Sequence, residues 1–122
     1  MGVDLRLLPY DADWGTGAFS HTILSCERRR ELWEDIAKLP ALPVDAKNFT
    51  CFASRKIDDP DAEDGYGRVY RDPYGEPMQY VTAQSLCRLS RKRAVRDNHT
   101  NRAIWAYLAQ LPRQTKVALY WH

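Results

Sequence analysis

The residues best equipped for chemistry lie between Asp58 and Arg102. An acid-rich run (Asp58, Asp59, Asp61, Glu63 and Asp64) leads into a Tyr/Gly/Pro segment that holds Tyr66, Arg68, Tyr70, Arg71, Tyr74 and Tyr80. A basic run follows, with Arg88, Arg91, Lys92, Arg93, Arg96 and finally Arg102. Alternating carboxylates can ligate a divalent cation, and positive charge beside flat rings can hold a nucleotide or a single strand. The first of these chemistries fails on spacing. Counting a calcium loop from Asp59 puts Asp64 at the sixth position, where Gly is required, and Tyr70 at the twelfth, where Glu is required. The acidic run therefore reads as a solvated loop.

Other reactive groups are dispersed. Cys26, Cys51 and Cys87 form no close pair, and His21, His99 and His122 stand apart from one another, so no zinc spacing is present and no metal is expected. No glycine-rich phosphate loop occurs, and no cofactor is implied. Ser20 and His21 are neighbours on an expected strand, which sends their side chains to opposite faces, so the pair does not make a nucleophile and its base. No catalytic residue is assigned. A small enzyme acting on nucleotides, using His21 or His99 with acids of the 58–64 loop, stands as the third reading.

Recognition is the reading that remains. The candidate binding residues are Tyr66, Arg68, Tyr70, Arg71, Tyr74, Tyr80, Arg91, Arg93 and His99. Acidic and basic blocks flanking aromatic anchors suit a protein partner, where charge steers and rings anchor. A nucleotide or nucleic acid held through Arg68, Arg71, Arg91 and Arg93 is the alternative, opposed by the nearby acidic loop. The competing structural explanation is a charged helix face beside tyrosines that finish a core.

The elements that must position these groups follow from hydrophobic period. Val3, Leu5 and Leu7 alternate with polar residues as in a strand that Pro9 ends, and residues 19–24 read as a second strand. Ser25 is placed to cap a helix over about 26–39 that carries Leu32, Trp33, Ile36 and Leu39 and stops at Pro40. Residues 49–54 read as a third strand, and segments 68–71 and 78–81 flank a turn at Asp72-Pro73-Tyr74-Gly75. Thr82 is placed to cap a helix with Ala83, Leu86, Cys87 and Leu89 inward. The basic run is then either that helix's last turns or a loop. Residues 97–101 break the pattern, a helix carries Ile104, Trp105, Leu108 and Leu111 to Pro112, and residues 116–121 form a last strand that must pair inside a sheet. This irregular order predicts a single α+β domain over 1–122, a mainly antiparallel sheet with about three helices on one face, and with residues 58–67 as an acidic loop open to motion.

Composition is compatible with that picture. The chain has 122 residues, 44% hydrophobic and 28% charged, enough for one ordinary core. Its net charge of +2 does not by itself imply nucleic acid or membrane. No apolar run approaches the length that spans a bilayer, so no membrane partner is expected, and three unpaired cysteines fit a reducing, cytoplasmic setting. Self-association to a homo-oligomer stays open.

Three stretches also carry a resemblance: Gly2–Pro9, the junction from Ser20–Leu24 into Cys26–Arg30, and Leu119–Trp121. Together the chain resembles small phage- and prophage-encoded proteins of unknown function. The resemblance implies an accessory protein acting in the host bacterial cytoplasm, an anti-defence inhibitor that binds a host protein or a sponge for a signalling nucleotide, and it carries over no site residues.

Overall fold

The computed structural model describes residues 3–10, 18–20, 22–44, 49–51, 74 and 76–122, with residues 18–20 and 49–51 described as backbone only. In chain order the elements are β1 Leu5–Tyr10, β2 Ala18–Ser20, β3 Leu24–Ser25, α1 Arg30–Ala37, β4 Leu42–Pro43 and β5 Phe49–Cys51. They continue with β6 Gln79–Thr82, α2 Ala83–Cys87, α3 Arg93–Arg96, α4 His99–Gln110 and β7 Lys116–Trp121. The architecture is α+β, with an antiparallel five-stranded sheet in the order β3-β1-β7-β6-β4. β2 and β5 form a separate parallel pair.

The most apolar strand lies in the middle of the sheet. β7 pairs with β1 from Leu5↔Trp121 to Tyr10↔Lys116 and with β6 from Gln79↔Leu119 to Thr82↔Lys116. Both edges of β7 are thus satisfied, as a strand of this composition needs. Pro9 does not end β1 as its ring chemistry suggests. Asp4 and His122 exchange both backbone hydrogen bonds (2.7 and 2.9 Å), and alternation from that pair puts Pro9↔Val117 at a position that forms none. The nitrogen of Pro9 instead faces the β3 side, and β3 pairs with β1 only at Arg6 and Leu7. A proline costs little there because no ladder bond with β7 or β3 is lost.

The two sheet faces bury different side chains. Leu5, Leu7, Val81, Val117 and Leu119 meet Leu32 and Ile36 of α1, Ala83 and Leu86 of α2, Ala94 and Val95 of α3, and Ile104, Trp105 and Leu108 of α4. All four helices therefore contribute to the core on one face, and α3 is a single turn. The other face carries Leu8, Tyr10, Val44, Met78, Ala118 and Tyr120, with Tyr80 at its margin. Strand alternation sorts them, since Val81 and Tyr80 are successive residues of β6.

Several elements differ from the sequence expectations for local reasons. The strand expected over 19–24 divides into β2 and β3, and the helix expected from residue 26 starts at Arg30. Ser25 pairs with Arg6, the Cys26 N–H bonds Leu5 O at 3.2 Å and the Glu27 N–H bonds Asn101 Oδ1 at 2.7 Å, so tertiary partners hold the chain out of helix here. Thr82 caps α2 as expected, its Oγ1 accepting the Ser85 N–H at 3.2 Å. The basic run is a turn followed by the single turn α3. Segment 68–71 and the 58–67 loop lie outside the described residues.

Candidate functional site

Asn101 organises the helical layer. It is wholly buried, and its amide is fully used: Oδ1 accepts the Glu27 N–H at 2.7 Å, and Nδ2 donates to Glu27 O at 3.1 Å and to Ala94 O at 3.0 Å. One turn earlier, Asn98 caps α4 by accepting the Asn101 N–H at 3.0 Å. One side chain therefore ties three segments together: the approach to α1, the turn α3, and the start of α4. Trp105 adds a fourth by donating from Nε1 to Leu86 O at 2.7 Å, which locks α4 to α2.

The outer surface of this layer is cationic. Arg29, Arg88, Arg91, Lys92, Arg93 and Arg102 are exposed. Among the described residues there are three ion pairs, Arg28–Asp4 at 2.8 Å, Arg30–Glu34 at 3.3 Å and Arg96–Asp97 at 3.3 Å. Those six cations therefore have no carboxylate partner among the described residues. Arg102 makes one long contact, Nη1 to Arg96 O at 3.5 Å. The α1 start adds to the effect. Arg29 is its N-cap residue, with φ −140 and ψ 118 and no capping bond from its side chain, and Arg28 and Arg30 flank it. Cations beside the positive end of a helix dipole raise the local potential rather than neutralise it.

The wider charge pattern agrees. Residues 77–122 hold eight Lys and Arg and a single acid, Asp97, whereas residues 1–76 carry fifteen acids against ten cations. Arg29 is not found by such a count, because the segment before α1 is tied to the helical layer by Asn101, a partner of Glu27 74 residues away in the chain.

The structure separates the residues singled out from sequence. Arg91 lies in the turn before α3, Arg93 is the first residue of α3 and His99 the first of α4, and all three are exposed on the helical layer. Tyr80 belongs to the opposite sheet face, half-buried, edge-on to Tyr10 at 6.2 Å between centroids and beneath the Lys116 ammonium at 4.9 Å. Tyr74 is exposed. Tyr66, Arg68, Tyr70 and Arg71 lie outside the described residues, as does His21. The sheet thus stands between Tyr80 and the three basic-layer members of the set.

The titratable groups that shift do so chiefly through burial. The Cys26 thiol is pushed up to about 12, and the Cys87 thiol is also raised, so burial holds both in the neutral form rather than as thiolate nucleophiles. His122 is lowered by burial and by Arg6, with Asp4 opposing. Among the described residues no group of three His, Cys, Asp or Glu side chains converges as a metal site, and no helix is long and apolar enough to cross a membrane. Comparison with protein-family models, characterised proteins and solved structures finds no match to this chain.

Proposed function

We propose that the protein is a non-enzymatic binding protein whose cationic helical layer engages nucleic acid. The observation that carries the reading is six exposed cations on one layer without a carboxylate partner among the described residues. Like charges on one layer repel one another, and a polyanion relieves that repulsion while releasing its own counterions. The raised Cys26 and Cys87 thiols are poor nucleophiles. A host protein as partner rests on the tyrosine segment, of which Tyr66 and Tyr70 lie outside the described residues and Tyr80 sits across the sheet from the basic layer. An accessory factor of phage type would, on this reading, act on nucleic acid.

The test is a salt titration. Phosphate contacts from five or six of these cations give a slope of about −5 for log K against log salt, so affinity for a labelled oligonucleotide falls about a thousandfold between roughly 50 and 200 mM salt. Fluorescence anisotropy measures this directly. Absence of binding at the lower salt, or binding indifferent to salt, overturns the proposal.

A further inference from the structure

Resting on that reading, we infer that the nucleic acid is duplex DNA and that α4 enters its major groove. The buried stripe of α4 is Asn101, Ile104, Trp105 and Leu108, which leaves His99, Arg102, Ala103, Ala106, Tyr107 and Gln110 on the exposed side. This face carries no carboxylate, so charge favours its approach to DNA. Twelve residues make a rod about 18 Å long, and a helix of ordinary diameter fits the roughly 12 Å width of the B-form major groove. Alanines at its middle keep that side of the helix slim.

The polar residues are spaced for base edges. Arg102 and Gln110 lie eight residues apart, about 12 Å along the axis, which spans three to four base pairs. Arginine suits the O6 and N7 of guanine, and glutamine the N6 and N7 of adenine. Arg93 opens α3, whose Ala94 carbonyl accepts from Asn101 in the first turn of α4, and Arg113 lies just past the α4 end. Those positions place phosphate contacts at both ends of the inserted helix. The geometry disfavours the other polyanions. The deep, narrow major groove of an RNA duplex does not admit a helix, and a single strand needs a row of stacking rings, whereas the two rings exposed on α4, His99 and Tyr107 at 41%, lie eight residues apart.

Anisotropy with a 20-base-pair DNA duplex of mixed sequence, the RNA duplex of the same sequence and the matching DNA single strand decides the matter. The DNA duplex is expected to bind at least tenfold more tightly than either. Ala106→Glu, on an exposed helical position, is expected to keep its circular dichroism and melting temperature and to lose DNA affinity by more than tenfold. Arg102→Ala loses about tenfold with its salt slope unchanged, as for a base contact, while Arg91→Ala lowers the slope by about 1, as for a phosphate contact. Equal binding of all three nucleic acids, wild-type affinity in Ala106→Glu, or a slope reduced in Arg102→Ala overturns the groove placement and leaves the polyanion reading standing. No binding to any of the three overturns both.

Discussion

Two helix starts meet at Asn101, and they are built in opposite ways. α4 follows local rules: Asn98 has extended backbone and its side chain accepts an N–H of the first turn. α1 breaks them, since Arg29 occupies the cap position without a capping bond and the dipole's positive end lies among three arginines. α1 still starts there because the backbone N–H and carbonyl of Glu27 are held by Asn101 from another part of the chain. The difference teaches that one start is specified locally and the other by tertiary contact. A start fixed from outside leaves its cap side chain available for display, and the side chain displayed there is the Arg29 cation.

Asn101→Ala gives the largest test of that contrast. Its side chain is completely buried, and its loss strands the Glu27 N–H and the carbonyls of Glu27 and Ala94. The Ala94 contact is buried and the two Glu27 contacts part-buried, and since a buried group without its partner costs about 1–3 kcal/mol, a net loss of about 3 kcal/mol in urea unfolding is expected. The Glu27 amide should also lose its protection from hydrogen exchange, while the Asn98-capped turn keeps its own. A cost below about 1 kcal/mol would show that α1 does not depend on this side chain.

Sharper information comes from Cys26, three residues before the α1 cap and buried against the helix-side core. Its folded pKa of about 12 lies above the ordinary value of 9.0. For a thiol raised on folding, the unfolded chain ionises first. The stability from keeping it neutral is complete below about pH 9 and is lost progressively as pH rises to about 12. One such proton contributes a slope of about −1.4 kcal/mol per pH unit in that window. Unfolding free energies from urea titrations of the wild type and Cys26→Ala across this range should differ in slope by about that amount. Equal slopes would place the thiol in water and the approach to α1 loosely against the core.

Elements set by their own residues were legible in the sequence. Residues 116–121 announce a buried strand through Val117, Leu119 and Trp121, and β7 occupies that span. Thr82 advertises a cap and is one, and the apolar stripe of Ile104, Trp105 and Leu108 marks α4. What depends on a distant partner was not legible. Residues 26–29 have helical character by period, and the pairing of Ser25 with Arg6, the Cys26 N–H bond to Leu5 O and the grip of Asn101 hold them out of helix. Within the candidate site, the basic run was plain, but the segment carrying Arg29 is tied to the helical layer through the Glu27–Asn101 contact, which no local window contains. Tyr80 was grouped with the basic residues by proximity in sequence, yet strand alternation sends it to the other face from Val81.

The smallest effect argues most directly that the α1 start is shaped for display. Asn98→Ala removes a working cap and should lower stability by about 1 kcal/mol. Arg29→Ala removes nothing that the helix uses and should be close to neutral. Arg29→Asp supplies a capping oxygen and a negative charge at the dipole's positive end, and the helix should gain between about 0.5 and 1 kcal/mol in urea unfolding. The same substitution reverses one charge of the cationic layer, so it should weaken oligonucleotide binding and lessen its salt dependence. Higher stability with weaker binding would mean that local stability has yielded to charge display at this position. Lower stability would show that the Arg29 side chain supports the helix, and the contrast between the two starts would then lose its functional meaning.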